Sequence, residues 1–232
     1  MNLQTQTTSQ NPQLPRRNGG IFYPESDGKP MAETDVHAKF LTYLREALAI
    51  FFTEREKVYV TGNIMFYYVE GSPDEVVPPD IMVCFGVDKG DRTSYKTWEE
   101  NDVIPSVIIE LASRSTWHKD HTEKRELYEM LGVQEYYIFN PLYPKTLPAF
   151  LAFELEDGVL VKREIENGRI YSELLGLELV DTGKSLRLFD LNTESFLKTQ
   201  EELSQEVEEI SAENETLKAE IDRLKALLQN KE

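Results

Sequence analysis

The stretch 105–141 constrains the fold most, because it reads as a strand, a loop, a helix and a second strand. Ser106–Ala112 is a short apolar run with β-branched residues, which is typical of a buried strand. Residues 118–131 have helical spacing, and Gly132 fits the position just after a helix end. Tyr136–Asn140 then predicts a returning strand. Together these segments predict a βαβ-like unit at the centre of the domain.

Charged side chains interrupt the apolar faces of this unit. Glu110 lies inside the first strand, where it must be paired, protonated or bound to a metal because a lone buried carboxylate is too costly. The inward face of the helix is defined by its apolar residues, Leu127, Tyr128 and Leu131. Steps of three and four back along that face lead to Lys124 and then to Asp120. A lysine and an aspartate therefore extend the inward face towards the start of the helix.

Two segments precede this unit. A helix with Thr34 or Asp35 as its cap is predicted to run to about Phe52. Lys57–Val69 then predicts two short strands, or one bent strand, around Gly62 and its neighbouring asparagine.

A third strand is predicted at Ile81–Phe85, which two prolines lead into as an extended chain. Asp80 stands at the start of this strand. Residues 86–105 are predicted to be a polar connection. After residue 141, short antiparallel strands are predicted at Ala149–Leu155, Val159–Glu164, Leu177–Leu179 and Leu186–Phe189.

Composition limits the class of protein. A hydrophobic content of 40% favours a globular core, and the single cysteine, Cys84, excludes a disulfide framework. The first 20 residues lack the apolar core of a signal peptide, and no apolar run reaches the length of a membrane helix. We therefore expect a cytoplasmic protein that does not contact a membrane. The net charge of −17 provides no basic footprint for nucleic acid, so local basic residues or divalent cations would have to offset it.

The C-terminal segment from Glu194 has a heptad pattern. Leucine or isoleucine occupies the d positions, and two of the four a positions are β-branched, Val207 and Ile221. This favours a parallel two-stranded coiled coil in which the one asparagine at a fixes the register. Glutamates at g face lysines at e of a partner helix. The alternative is a solvated helix that folds back on its own domain. The seam residues are Leu203, Val207, Ile210, Asn214, Leu217, Ile221, Leu224 and Leu228.

The acidic residues of the two central strands suggest a metal site. If the strands that carry Asp80 and Glu110 are neighbours, the two carboxylates converge and suit a hard divalent cation, magnesium or manganese. Lys124 would place a positive charge beside the metal, where it could orient a water or stabilise charge on a phosphoryl group. Asp120 could hold Lys124 or join the metal ligands.

Each of these residues also has an ordinary structural interpretation. Asp80 could be a turn residue after the prolines, and Glu110 could pair with Arg114 or Arg125. Lys124 could extend from a packed helix edge towards solvent. The joint arrangement favours the functional interpretation.

The histidines permit a weaker alternative. His118 and His121 could bind zinc together with His37 or Asp120, but no fourth ligand lies at suitable spacing. His37, near the start of the first helix, could instead face the carboxylates, although an ordinary surface or core histidine is the simpler interpretation.

The combined pattern resembles the Uma family of restriction endonucleases, a branch of the PD-(D/E)XK nuclease superfamily. The resemblance rests on PPD at 78–80, IIELASRST at 108–116, D-x-x-x-K at 120–124, Tyr128 and LGVQEYYIFNP at 131–141. It covers roughly residues 31–190 and implies a mixed central sheet flanked by helices, with a metal-dependent phosphodiesterase site.

The resemblance also implies roles for individual residues. Asp80 matches the motif aspartate and Glu110 the strand glutamate, and both would bind magnesium. The lysine usually found two residues after that glutamate is replaced by Ala112, and Lys124 of the following helix would assist the attacking water instead. Ser113 matches a polar position of the family pattern.

Two hypotheses of function follow. The first is a magnesium-dependent endonuclease that cuts nucleic acid, expected to be DNA, and forms a homodimer through its C-terminal coil. The second is a catalytically inactive protein with a nuclease fold that serves as a scaffold. Both assume an α/β (α+β) domain over residues 31–192, preceded by an unstructured segment at 1–30 and followed by a coiled coil at 193–232.

Overall fold

The structure of the chain is a computed structural model that describes residues 21–26, 28 and 34–229, with side chains up to residue 226. The segment expected to be unstructured, 1–30, lies mostly outside the described residues. Within 21–26, Tyr23 contacts the rings of Tyr67 and Trp98 at centroid distances of 5.0 and 5.1 Å. In the part of the chain that can be described, no helix is both long and apolar enough to cross a membrane.

The centre of the molecule is a mixed six-stranded sheet with the order β1-β4-β6-β7-β8-β9. Its middle strands β6 and β7 are parallel and the other neighbours are antiparallel. Every residue of β6 and β7 is buried, as a strand covered on both faces requires. The strands of this sheet are Val58–Thr61 (β1), Ile81–Phe85 (β4), Val107–Leu111 (β6), Glu135–Phe139 (β7), Phe150–Glu156 (β8) and Val159–Arg163 (β9).

Two smaller sheets complete the strand content. A four-stranded antiparallel sheet has the order β10-β11-β12-β13, and a three-stranded sheet has the order β3-β2-β5. The predicted polar connection at 86–105 is wrong over β5, which pairs in parallel with β2 because the buried ring of Tyr95 joins an aromatic cluster. Their bounds are Met65–Tyr67 (β2), Val76–Val77 (β3), Ser94–Lys96 (β5), Arg169–Ser172 (β10), Leu177–Asp181 (β11), Leu186–Asp190 (β12) and Ser195–Phe196 (β13).

The central sheet has an apolar core on each face. Helix α1, Asp35–Phe51, places Leu44 and Leu48 on one face together with side chains of the four-stranded sheet, such as Leu188. The other face is covered by the helical segment between β6 and β7 and by the three-stranded sheet. The residues of the candidate site lie at the edge of this second core.

Helix α1 begins as its sequence predicts. Thr34 is its N-cap, and the hydroxyl of Thr34 accepts a hydrogen bond from the backbone N–H of His37 at 3.3 Å. The cap fixes the first turn of α1 and so fixes where His37 projects.

The single helix predicted at 118–131 is divided into three parts. A three-residue helix, Trp117–Lys119 (α2), leads into a π-helical turn, Asp120–Lys124, which continues as Arg125–Leu131 (α3). The predicted end at Gly132 is confirmed, since its φ of 82° is left-handed. Hydrophobic periodicity indicates a helical segment but does not distinguish a π turn from a regular α turn.

The C-terminal helix α4, Gln200–Gln229, carries the predicted heptad seam on an exposed face. Val207 is 66% exposed, Ile210 51%, Leu217 50%, Ile221 49% and Leu224 53%. These side chains do not pack against their own domain, contrary to the alternative of a helix folded back on it. The side chain of Leu228 lies outside those described. The coiled coil remains a prediction.

Candidate active site

The pairing of β4 with β6 brings the two strand carboxylates together. Ile81 pairs with Ile109 in antiparallel register, which places Asp80 opposite Glu110. The backbone N–H of Asp80 lies 3.4 Å from Oε2 of Glu110, and the backbone N–H of Leu111 donates to Oδ2 of Asp80 at 2.7 Å. Each acid is therefore held by the backbone of the strand that carries the other.

The corner between β1 and β2 passes very close to Asp80. A Cβ built on Gly62 would lie 1.9 Å from the carbonyl oxygen of Asp80, well inside contact distance. Only glycine allows this approach, and Asn63 next to it donates its backbone N–H to the carbonyl of Pro79 at 2.8 Å. The glycine thus helps to set the position of Asp80.

Lys124 reaches the carboxylates from the π turn. Its Nζ lies 2.8 Å from Oε2 of Glu110 and 3.0 Å from Oδ1 of Asp120. The side chain of Lys124 is 13% exposed, that of Asp120 2% and that of Glu110 0%. Lys124 therefore neutralises two buried acids and does not extend to solvent.

Two tyrosines lie beneath this cluster. The hydroxyl of Tyr128 donates to Oε1 of Glu110 at 2.7 Å, and that of Tyr136 donates to the backbone carbonyl of Asp120 at 2.8 Å. The sequence suggested only core packing for both residues. One sign of a further role was visible in the sequence: Tyr128 follows Lys124 by four residues and so lies on the same helical face.

Of the two remaining predicted site residues, His37 lies near the carboxylates and Ser113 lies in a loop. Nε2 of His37 lies 3.4 Å from Oδ1 of Asp80, so His37 joins the cluster. The hydroxyl of Ser113 instead bonds to those of Ser115 and Thr116, at 2.9 and 3.2 Å, and shapes the turn after β6.

Burial and charge shift the pKa values of the cluster in different directions. Burial raises the pKa of Glu110 to about 8; Lys124 opposes this shift, whereas the charges of Asp80 and Asp120 add to it. Burial would also raise the pKa of Asp80, but the hydrogen bond with His37 and the charge of Lys124 bring it below its usual value. The pKa of Lys124 is raised, because the attraction of Glu110 and Asp120 outweighs the effect of burial.

The structure also bears on the alternative interpretations. The ion-pair partner of Glu110 is Lys124 rather than Arg114 or Arg125. His121 stacks on Trp117 with ring centroids 6.0 Å apart, which accounts for its place in the fold. Across residues 21–26, 28 and 34–226, no group of three or more His, Cys, Asp or Glu side chains is placed so that it could hold a metal ion, and His118, His121 and His37 form no such group.

The donor chemistry of Asp80 and Glu110 fits a hard divalent cation. Two carboxylates on neighbouring strands offer the oxygen ligands that Mg²⁺ and Mn²⁺ prefer, and Mg²⁺ commonly takes only one or two carboxylates and keeps several waters. The side chain of Asp80 is 19% exposed, so solvent reaches this side of the pair.

Comparison with known proteins identifies a matching family and similar solved structures. Residues 9–188 of the 232 match the family model Uma2, described as "Putative restriction endonuclease". A search of curated proteins found no match. Among solved structures, the chain is similar to one titled as a "putative nuclease belonging to DUF820" from Anabaena variabilis ATCC 29413. The two are 12% identical, with a TM-score of 0.44 over 63% of this chain and 76% of that chain.

Proposed function

The chain belongs to the Uma2 family, whose model spans more than half of it, and on this basis we propose that it is a metal-dependent endonuclease that hydrolyses phosphodiester bonds of DNA. The observation that carries the proposal is the convergence of Asp80, Glu110 and Lys124 on one point. Structural pairing alone does not require a third acid, Asp80, beside the two buried acids that share Lys124.

Asp80 and Glu110 would hold Mg²⁺ or Mn²⁺. The bound ion would lower the pKa of a water molecule and neutralise phosphate charge, as divalent cations do in other phosphodiesterases. The residues of the chain would supply the surroundings in which this chemistry occurs. The Leu111 N–H and His37 fix the two oxygens of Asp80, and Tyr128 fixes Oε1 of Glu110.

The role of Lys124 follows from its charge. Because its pKa is raised, Lys124 keeps its proton at neutral pH and does not act as a general base. A fixed ammonium group can donate a hydrogen bond to the attacking water and stabilise the charge that develops on the phosphoryl oxygens. Asp120 holds this ammonium group in place from the preceding turn of the helix.

Local basic residues partly offset the acidic charge of the chain. Arg114 and Lys119 are exposed in the segment that joins β6 to the π turn and so flank the carboxylates in sequence. Such residues can contact phosphates, which supply most of the affinity of nucleic-acid binding.

The test is cleavage of supercoiled plasmid DNA by the full-length protein, with Mg²⁺, Mn²⁺ or EDTA. We expect cleavage only with a divalent cation, and loss of cleavage in Lys124→Ala. Lys57→Ala is the matched control, because Lys57 forms an exposed ion pair with Asp88 at 2.8 Å, outside the cluster. Equal cleavage by both variants would contradict the role of Lys124.

A dimer through α4 is the second part of the proposal. The exposed seam on α4 needs a partner, and a second copy fits because Glu213 and Glu220 would face Lys218 and Lys225 of the other helix. A parallel pair would bring two sites to one duplex, so that each site could cut one strand.

Light scattering tests the dimer directly. We expect the wild type to have twice the chain mass of 26.8 kDa and Leu217→Glu to be monomeric. Ala219→Glu adds the same charge on the outer side of the helix and should stay dimeric. A monomeric wild type at micromolar concentration would contradict the dimer.

The exposed seam also supports the second candidate, an inactive scaffold that assembles through α4. No cleavage of duplex DNA, single-stranded DNA or RNA with either metal, combined with a stable dimer, would favour the scaffold over the nuclease.

A further inference from the structure

We propose that the hydroxyl groups of Tyr128 and Tyr136 position the catalytic pair, Tyr128 by holding Glu110 and Tyr136 by holding the π turn that carries Lys124. This inference rests on the proposed nuclease function. It assigns a role to two residues that core packing alone would leave interchangeable with phenylalanine.

The two tyrosines form a buried layer under the site. Both are 0% exposed, and their rings meet edge to face with centroids 5.1 Å apart. Packing explains why large rings are present here. It does not explain why both rings carry hydroxyl groups that point at the acid and at the helix turn, since a buried polar group is costly unless it is bonded.

Tyr128 limits the freedom of Glu110. The terminal torsion of a glutamate is broad, so the carboxylate plane is set by its partners. Tyr128 donates to Oε1 at 2.7 Å and Lys124 approaches Oε2 at 2.8 Å, so each oxygen has a donor on its own side. Loss of the Tyr128 hydroxyl would leave Oε1 without this donor and allow the carboxylate to turn.

The spacing of the inward residues explains the need for a π turn. Asp120, Lys124 and Tyr128 follow one another at intervals of four residues, and all three face the sheet. In a regular α-helix two such steps overshoot two full turns by about 80°. The wider π turn over Asp120–Lys124 takes up this excess and places Asp120 on the same side as Lys124 and Tyr128.

Tyr136 stabilises that π turn. A π turn replaces the usual i to i+4 hydrogen bonds with longer i to i+5 bonds and is less favourable than the α-helix around it. The hydroxyl of Tyr136 donates to the carbonyl of Asp120, the first residue of the turn, at 2.8 Å. Tyr136 therefore supports the backbone on which both Asp120 and Lys124 are placed.

The experiment compares three single hydroxyl deletions, Tyr128→Phe, Tyr136→Phe and the control Tyr95→Phe. Tyr95 is also 0% exposed, and its hydroxyl donates to the carbonyl of Val103 at 2.8 Å, among residues that do not form the site. Each variant loses a hydrogen bond made by a tyrosine with 0% exposure, so a purely structural role predicts similar falls in melting temperature and no specific effect on catalysis.

The expected result is a fall in kcat of roughly 10- to 100-fold in Tyr128→Phe and Tyr136→Phe, with KM for a short duplex nearly unchanged. Tyr95→Phe should keep the wild-type kcat. A kcat in either site variant that falls no further than in Tyr95→Phe overturns the proposal for that tyrosine.

A second measurement does not depend on activity. The side-chain NMR signal of Lys124, assigned by its loss in Lys124→Ala, reports the surroundings of the ammonium group. We expect this signal to shift in both site variants and to stay in place in Tyr95→Phe. If the wild type cuts no substrate, the nuclease proposal fails, and this signal still decides whether the tyrosines position Lys124: an unchanged signal overturns the positioning role.

Discussion

Two buried glutamates on neighbouring strands differ in the groups that contact their carboxylates. Glu110 on β6 is 0% exposed and Glu135 on β7 is 5% exposed. Glu135 accepts hydrogen bonds from neutral donors, the hydroxyl of Tyr137 at 3.0 Å, the hydroxyl of Ser172 and the N–H of Leu174 at 3.3 Å. Glu110 instead shares a cation with a second acid and lies opposite a third.

In the proposed nuclease, this difference would separate a structural acid from a reactive one. The neutral donors of Glu135 come from β7 itself and from the β10 region, so Glu135 ties the central sheet to the four-stranded sheet. The charges of Asp80 and Asp120 oppose the ionisation of Glu110 despite the nearby Lys124. A bound divalent ion would relieve that repulsion, whereas Glu135 is held by neutral donors.

The largest expected effect is on activity. Glu110→Gln should lower DNA cleavage by roughly 10³-fold, because it removes a metal ligand and the partner of Lys124. Glu135→Gln should keep cleavage within about threefold of wild type, since it contacts no residue of the site. Plasmid cleavage under one set of conditions measures both, and equal losses would remove the distinction between the two acids.

The next effect is on stability without metal. Lys124→Met should lower the free energy of unfolding by about 3–5 kcal/mol in EDTA, because it leaves buried acids without their cation. Adding Glu110→Gln to this variant should recover part of the loss. Urea unfolding of the two single variants and the double variant gives the coupling, and strictly additive losses would show that Glu110 and Lys124 act independently.

A smaller effect is expected from metal binding itself. Saturating Mn²⁺ should stabilise the wild type by about 2–3 kcal/mol at a hundredfold excess over Kd. Glu135→Gln should respond equally and Glu110→Gln should not respond. Thermal melts with and without Mn²⁺ make the comparison, and a full response in Glu110→Gln would place the ion elsewhere.

The smallest effect is expected at the structural acid. Ser172→Ala should reduce the free energy of unfolding by about 1–3 kcal/mol, because Glu135 then loses a buried donor. The cleavage rate should not change. A loss of cleavage without a loss of stability would mean that the Glu135 cluster also serves the site.

The sequence was sufficient for the strands and helices whose patterns are regular. The β4 strand is found at Ile81–Phe85 as predicted, and Thr34 caps α1 as predicted. The local sequence could not predict the strand β5, because Tyr95 is buried by the rings of Tyr59 and Phe66, which come from other strands.

The candidate site was partly accessible for the same reason. Asp80, Glu110 and Lys124 stand out because a charge on an apolar strand or helix face needs an explanation. Glu135 is the first residue of its strand and follows a polar residue, so the sequence does not mark it as unusual, although it is nearly as buried as Glu110. The π turn was not predictable, since the hydroxyl that bonds to its first carbonyl comes from a distant strand, β7.

The geometry of the candidate site depends on the absence of a Cβ atom at Gly62. The backbone at this corner occupies the space that any side chain would need, directly against the carbonyl of Asp80. A single methyl group added at Gly62 would push the backbone carbonyl of Asp80 away from its present position. Every ionisable group of the site would stay chemically unchanged. At position 62 the proposed nuclease could therefore lose its activity through added bulk alone, whether by design or by drift, with every acid and base of the site still present.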